Sequence, residues 1–323
     1  MTHTQLTYLV FGIILIIALV FDLGLLSKKS KELTTRQALY QTIFWVLLAL
    51  GFGGFVWFED GKQAALEYVS AYLMEWSLSI DNIFVFVLIF SFFRVREPYI
   101  PRVLLIGVLM AIVFRVIFIT LGVELVNRVH WVLYIFGAFL LYTGYKMFTS
   151  TQEEEYDPKD SAVFKFLKKI LPITMNDGNG HYRIKEHGRV VYTSLFVVVV
   201  MLATTDIVFA LDSIPAVLGI VDRNSNYASL VIYTSNVFAV LGLRSLFFLL
   251  RGAVSKFDFL QQGIAIVLIF IGIKMLAEKW INELLGKTSQ VIISLVVIVV
   301  CIGGSILYSI NHKKKGTPPD MPK

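Results

Sequence analysis

The sequence predicts an all-α membrane protein that crosses the bilayer several times. Of its 323 residues, 57% are hydrophobic and only 16% are charged, and the mean hydropathy is +0.73. A soluble protein would carry about 25% charged residues. The apolar residues also come in blocks of about 20 or more, the length that a helix needs to cross a hydrocarbon core of about 30 Å.

The apolar blocks predict nine transmembrane helices. Between these blocks, 20 of the 29 Lys and Arg residues fall in the loops of one side, and 5 fall in the loops of the other. Because positively charged loops stay in the cytoplasm, we expect the N-terminus outside and the C-terminus in the cytoplasm. This distribution also accounts for the net charge of +6, so no nucleic-acid partner is expected. The predicted helices cover residues 5–27, 39–58, 66–93, 102–125, 130–149, 191–221, 228–250, 259–277 and 289–310.

The predicted helices divide the chain into five segments, one of which is a long cytoplasmic loop. Within this loop, residues 161–170 show the Phe, Leu and Lys pattern of an amphipathic helix that lies on an anionic membrane surface. Residues 181–193 are typical of a hairpin that turns at His187 and Gly188. We expect His181 and His187 to be surface residues. The segments are residues 1–60 with two helices, 61–150 with three, 151–190 with the loop, 191–280 with three, and 281–323 with the last helix and a basic tail.

The two three-helix segments carry the same charges at matching intervals. In each segment, an acid is followed six residues later by a second acid, and then by a small polar residue. The second acid precedes an Arg by 34 and 32 residues, and the Arg precedes a Lys by 31 and 30. Because each unit has three helices, the second would be inverted in the membrane, as in secondary transporters that bind substrate near the midplane. The matched pairs are Glu75 and Asp206, Asp81 and Asp212, Asn82 and Ser213, Arg115 and Arg244, and Lys146 and Lys274.

Four carboxylates inside predicted membrane helices indicate a cation site. An ionised carboxylate in hydrocarbon costs several kcal/mol, so it faces a wet cavity, binds a cation, pairs with a base or is protonated. Ion pairing is the alternative for one or two of these acids. Oxygen ligands without a Cys or His cluster suit Mg²⁺, Ca²⁺ or Mn²⁺ better than Zn²⁺ or Cu⁺. The predicted site comprises the acids Glu75, Asp81, Asp206 and Asp212, the supporting polar residues Ser79, Asn82, Ser213 and Asn236, and the counter-charges Arg115 and Arg244.

The spacing of the acids divides them into an inner and an outer pair. Residues i and i+6 of a regular helix lie about 120° and ~9 Å apart, so Glu75 and Asp81 cannot chelate one ion on an unbroken helix. Either one acid from each repeat forms a shared site, or the helices break. Pro215 favours a break in the sixth predicted helix, because it leaves a carbonyl four residues earlier without its donor. Asp81 and Asp212 are then the strongest candidates for the central ion, and Glu75 and Asp206 would be co-ligands, a second site or proton carriers.

These motifs resemble the TerC family of bacterial membrane proteins, which includes the Alx-type manganese exporters. The resemblance is carried by residues 75–84, 205–216 and 235–244, and extends from about residue 22 to 275. It implies a protein of the bacterial cytoplasmic membrane that exports Mn²⁺ as a transported ion, with no permanently bound cofactor. The family's intramembrane acids correspond to the four acids above. Many members carry a Glu where this chain has Ala203, which leaves the ion preference open. The family name refers to tellurite resistance, a phenotype that does not establish the substrate.

Two other functions remain as alternatives to a metal-ion exporter. One is a membrane accessory factor that metallates or assists exported proteins at the secretion machinery, with a translocon or a secreted metalloprotein as partner. The other is an intramembrane aspartyl protease, which is disfavoured because Asp81 and Asp212 lack a Gly-x-Gly-Asp setting. The chain has no nucleotide-binding loop, so transport would draw on an ion gradient, and we do not expect an enzyme.

Overall fold

Among the residues that the computed structural model describes, regular structure is helical apart from one short hairpin. Within the helices, the side chains of Asp22, Asp81 and Asp212 lie outside this description, as does the whole of His187. The described residues are 3–27, 34–129, 131–149, 162–186, 188–251, 259–277, 280–281, 284–285 and 287–316.

The longest connection between helices contains the hairpin and separates α6 from α7. The helices are α1 (His3–Ser27), α2 (Thr35–Glu59), α3 (Lys62–Phe92), α4 (Ile100–Arg128), α5 (Val132–Thr149), α6 (Ala162–Ile170), α7 (Ser194–Ile220), α8 (Ala228–Leu250), α9 (Leu260–Leu276) and α10 (Lys287–Gly316). The hairpin strands are β1 (Arg183–Glu186) and β2 (Arg189–Tyr192).

The prediction of an all-helical protein with several membrane spans is confirmed. Helices occupy all nine segments predicted to span the membrane. By length and composition, six of the described helices can cross a bilayer: α2, α4, α5, α7, α8 and α10. Shorter apolar stretches lie in α1, at Thr4–Val20, and in α9, at Gln261–Leu276. The number of nine spans therefore stays a prediction.

Helix α8 lies in the interior of the bundle. Nearly every side chain from Ala228 to Phe248 is buried, and α8 packs against α2, α3 and α4. Helix α7 packs against α3 and α4, and α5 packs against α9. The outer surface carries many exposed apolar side chains, among them Ile16, Leu47 and Leu121. An apolar surface of this extent is favourable in contact with lipid and unfavourable in water. Polar side chains of α3, α4, α7 and α8 are thereby directed toward one another.

Helix α7 is continuous from Ser194 to Ile220, so the predicted break at Pro215 is wrong. Proline has no N–H, and the carbonyl of Leu211 therefore loses its helical partner. On either side of the proline, Ile214 and Ala216 are buried against the bundle. Contacts with neighbouring helices can maintain a helix through a proline inside a membrane, which accounts for the missing break.

The described part of the segment between α5 and α7 is folded. Helix α6 packs on the end of α3, where the rings of Phe164 and Phe93 meet at 5.7 Å between centroids. Strands β1 and β2 are antiparallel and pair Glu186 with Arg189 across a two-residue turn. Gly188 in this turn has φ of +78°, a conformation that favours glycine in two-residue hairpins.

A turn at residues 177–180 anchors this segment to the connection between α3 and α4. Arg96 donates from Nη2 to Asp177 at 2.7 Å and to Asn179 at 2.9 Å, and from Nε to Asp177. These hydrogen bonds with the Arg96 guanidinium lower the pKa of Asp177 below its ordinary value. The anchor is therefore a charge-assisted contact at the end of the bundle where α3 connects to α4.

We expect Asp177→Asn to loosen this anchor. Because the folded-state pKa of Asp177 is lowered, its carboxylate stabilises docking at neutral pH, and the contribution is lost as the pH falls through the folded-state pKa. Hydrogen exchange should show faster exchange of amides 177–186 in the variant at neutral pH, with the difference vanishing in acid. Glu186→Gln is the control in the same segment. Equal protection in Asp177→Asn and wild type at neutral pH would contradict the assignment.

Two glycines allow α5 and α9 to approach closely. A methyl group at Gly144 of α5 would lie 2.9 Å from the backbone oxygen of Ala265, and one at Gly272 of α9 would lie 2.8 Å from the backbone oxygen of Gly137. Carbon atoms do not approach a carbonyl oxygen this closely without displacing it. Since lipid gives little hydrophobic drive for helix association, such close contacts between small residues supply much of the attraction in membranes.

Replacing Gly144 by Ala should separate α5 from α9 and lower the free energy of unfolding by about 1–3 kcal/mol, the usual cost of overpacking. Thermal unfolding in detergent measures this loss. Gly51→Ala on α2 is the control, because no atom lies within 4 Å of its added methyl group. Ala favours a helix over Gly, so the control should be neutral or more stable by up to about 1 kcal/mol. Similar melting temperatures for both variants would contradict the packing argument.

Candidate functional site

The side chain of Arg115 joins four helices in the interior. It lies on α4 and is 1% exposed. Its Nε and Nη2 donate to the two carboxylate oxygens of Asp206 on α7, each at 3.1 Å. Its Nη1 donates to Oε2 of Glu75 on α3 and to Oδ1 of Asn236 on α8, the latter at 3.3 Å. The two parallel bonds to Asp206 match the planar fork of a guanidinium.

Asn236 is oriented by its own helix. Its Nδ2 donates to the backbone oxygen of Ile232, one turn earlier on α8, at 2.9 Å. This bond leaves the amide oxygen as the atom that faces Arg115. The fourth helix of the site therefore presents an acceptor, which a positively charged group requires.

The cluster carries a net negative charge. It combines two carboxylates with one guanidinium, and Glu75 and Asp206 are 0% and 1% exposed. A buried charge without a partner costs several kcal/mol, whereas a hydrogen-bonded pair offsets much of that penalty. Arg115 therefore stabilises both acids in the interior, but one negative charge remains. Such a site attracts cations.

The structure brings together four of the predicted site residues: Glu75, Asp206, Arg115 and Asn236. The first acids of the two predicted repeats thus meet, as do one predicted counter-charge and one supporting amide. Arg244 is also buried, two turns further along α8 than Asn236. Among the described residues, Arg115 is the cation that pairs with both acids.

The other predicted polar residues line the same helices. Ser79 and Asn82 on α3 and Ser213 on α7 are all fully buried or within 1% of it. Their side-chain polar atoms, together with Oε1 of Glu75, find no hydrogen-bond partner among the described groups. Leaving a buried polar atom unpaired costs about 1–3 kcal/mol. Several such atoms in one region point to an additional polar or charged group that binds there.

The carboxylates of Asp81 and Asp212 lie outside the described side chains, although their backbones belong to α3 and α7. Among side chains that the structure does describe, no three of the types His, Cys, Asp and Glu are grouped as metal ligands would be. The predicted four-carboxylate site includes two residues beyond that description. It therefore stays a prediction.

A third buried carboxylate, Glu67, was missed by the sequence reasoning. It lies on α3 two turns before Glu75 and is 0% exposed. One of its oxygens accepts from the backbone N–H of Asp222 at 3.0 Å, and the other from Gln63 at 3.1 Å. Burial, and then the charge of Glu67, raise the pKa of Tyr227 to about 12. Glu67 borders a cavity of about 90 Å³, whose polar lining includes Gln63, Asp222, Arg223, Asn224, Lys274 and Gln290.

Glu67 escaped notice because the repeat does not include it. The residue that corresponds to it in the second repeat is Val198, so the search for matched charges passed over this position. The signal that could have found it was an acidic side chain at the second residue of a predicted membrane helix, a position that is costly unless the carboxylate has partners.

Apolar helices that enclose a buried ion cluster define an integral membrane protein that crosses the bilayer several times. The chain belongs to the family described as integral membrane protein TerC, whose pattern matches residues 60–317. It is 39% identical to a membrane protein of Myxococcus xanthus over 94% of this chain and 91% of that protein. It is 35% identical to a proposed membrane-bound redox modulator, Alx, of Escherichia coli K12, over 95% and 96% of the two chains. A membrane protein of Rickettsia felis is also 35% identical, over 95% and 98%. No solved structure matches the chain.

The buried cluster should respond non-additively to neutralisation of its acids. Glu75→Gln or Asp206→Asn alone removes the excess negative charge and should change the free energy of unfolding by no more than about 1–2 kcal/mol. The double variant leaves Arg115 buried without a counter-charge and should cost about 3–5 kcal/mol. Chemical unfolding in mixed micelles measures all three. Additive single and double effects would show that Arg115 does not depend on these acids together.

Proposed function

We propose that the protein is a secondary transporter that moves a divalent cation, most specifically Mn²⁺, out of the cytoplasm through an acidic site in the bundle interior. The observation that carries this proposal is a set of buried polar atoms that have no hydrogen-bond partner among the described groups, on the helices that hold the net-negative cluster at Arg115. In this proposal the protein lies in the bacterial cytoplasmic membrane, with its N-terminus outside and its C-terminus inside.

The α3 residues with unpartnered atoms share one face of that helix. Glu75, Ser79 and Asn82 are separated by four and three residues, so they lie on the same face of a regular helix. On α7, Ser213 follows Asp206 by seven residues, or two turns. A dehydrated hard cation coordinates carboxylate, amide and hydroxyl oxygens, and its arrival would satisfy those of the unpartnered atoms that are oxygens. Asp81 and Asp212 directly precede Asn82 and Ser213 in the sequence. We assign the binding of the central ion to these two acids.

Contacts between α5 and α9 support a two-fold relation between the repeats. Gly144 meets the backbone oxygen of Ala265, and its counterpart Gly272 meets that of Gly137. In each case the oxygen lies seven residues before the matching glycine of the other repeat. Such a reciprocal pair of contacts is expected when a two-fold axis exchanges the two helices. Because the higher-numbered residue of α5 meets the lower-numbered residue of α9, the two helices run antiparallel. The axis would be perpendicular to both helices and thus in the membrane plane, as in an inverted repeat.

The packing of the inner helices is consistent with the same two-fold relation, which would exchange each helix of one repeat with its counterpart in the other. In repeat one the helices are α3, α4 and α5, and in repeat two they are α7, α8 and α9. Helix α3 packs on α8 as α7 packs on α4, and the first helices, α3 and α7, pack on each other. This arrangement supports a substrate site where the two repeats meet, which is where Glu75 and Asp206 lie.

Thiol redox chemistry is less well supported than cation transport. The name of the Escherichia coli relative, Alx, refers to a redox modulator. A dithiol relay within one chain needs two cysteines, and this sequence has one, Cys301. Carboxylate, hydroxyl and amide oxygens instead suit a hard divalent ion that is not itself a redox relay.

Metal flux in proteoliposomes tests the proposed function. We expect wild-type protein to move Mn²⁺, and Asp81→Asn and Asp212→Asn each to reduce the flux by about tenfold or more, because loss of a charged ligand weakens a hard-cation site. Glu124→Gln is the control, since Glu124 forms an exposed pair with Arg128 on α4. Flux that is unchanged in both Asp variants would refute the site.

The accessory role gives a different result in cells. If the protein metallates or assists exported proteins, a deletion strain should keep normal Mn²⁺ content and tolerance while a secreted metalloenzyme lacks activity. If it exports Mn²⁺, the same strain should accumulate Mn²⁺ and grow poorly when the ion is added.

A further inference from the structure

Arg115 donates to the oxygen atoms that a cation passing between Glu75 and Asp206 would need. Three carboxylate oxygens, Oε2 of Glu75 and both of Asp206, accept its hydrogen bonds, as does the amide oxygen of Asn236. A guanidinium has donors and no acceptor, so it binds the same oxygen atoms as a metal ion. Arg115 and a cation at these residues therefore exclude each other.

We propose that Arg115 is an internal substitute for the transported cation. It offsets one of the two negative charges of Glu75 and Asp206 when the site carries no ion, and it leaves them when a divalent cation binds. This inference rests on the proposed function and concerns how the empty transporter completes its cycle.

The burial of the three side chains gives the physical reason for such a substitute. After the ion leaves, Glu75 and Asp206 would face each other as bare carboxylates in an interior where they are at most 1% exposed. Two like charges without a partner in such a place oppose any conformational change that keeps them buried. With Arg115 between them, the empty site can stay closed while the protein changes the side to which it opens.

The consequence is a difference between net transport and exchange. Net transport requires the empty protein to return, whereas exchange of one Mn²⁺ for another requires only the ion-loaded form to move. A protein without the Arg115 charge can still be neutralised by Mn²⁺ itself. It should therefore retain exchange and lose net transport, a separation that a general loss of stability would not produce.

The test uses full-length protein in proteoliposomes loaded with Mn²⁺. Net efflux is measured into medium without metal, and exchange is measured with labelled Mn²⁺ on the opposite side. For Arg115→Gln we expect net efflux to fall by about tenfold or more, with exchange kept within about threefold of wild type. Arg128→Gln is the matched control, since Arg128 lies on the same helix and pairs with Glu124 at the exposed end. It should leave both rates unchanged.

Arg115→Lys is the second variant, for the case that Arg115→Gln does not fold. Lys keeps the charge but cannot form the two parallel bonds to Asp206, so net efflux should slow more than exchange does. If either variant loses both activities in the same proportion, or if Arg115→Gln keeps full net efflux, the inference is wrong. Wild-type protein that shows neither activity would instead refute the proposed function.

Discussion

The interior of this protein depends on one guanidinium held between two carboxylates. None of these three charges is stable alone in an apolar bundle, because each would be desolvated without compensation. Arg115 must reach Glu75 and Asp206 together, which brings α3, α4 and α7 to one point. Helix α8 completes the group with Asn236. The packing of the four inner helices is therefore constrained by charge as well as by shape.

A second constraint acts on α5 and α9 and involves no charge. Both helices use glycine where the other's backbone approaches, at Gly144 and Gly272. In lipid, apolar side chains gain little by leaving one apolar surface for another, so close backbone contact is an efficient way to hold helices together. The inner helices are thus joined by ion pairs and hydrogen bonds, and this outer pair by close packing.

The site retains polar atoms that a purely structural core would have paired or replaced. Ser79, Asn82 and Ser213 are buried beside the cluster without described partners. Native proteins pair nearly all buried polar groups, and unpaired groups concentrate where a ligand completes them. Because each unpaired polar atom lowers the stability of the fold, these positions support the proposal that the interior binds an additional group. In the proposed function this group is a hard cation, which oxygen atoms coordinate.

Several features could be predicted from the sequence because they depend on local properties. The length of the apolar blocks predicts the nine helical segments. The free-energy cost of a carboxylate in hydrocarbon identifies the four acids as candidate site residues. The predicted break at Pro215 is wrong because packing of neighbouring helices maintains α7. Glu67 was missed because its importance comes from Asp222 and Gln63, which the search for repeated charges did not connect with it.

The sequence by itself determined that the chain is a bundle of membrane helices, and it indicated which charged residues would be buried in it. The tertiary structure decided how those charges pair. Arg115 is 40 residues from Glu75 and 91 from Asp206 along the chain, and both Arg115 and Arg244 were candidates to neutralise any of the acids. Spacing within one helix defines which residues share a face, but it contains no information about which face of another helix will meet it. That choice depends on packing between helices, and here it unites the first acids of the two repeats.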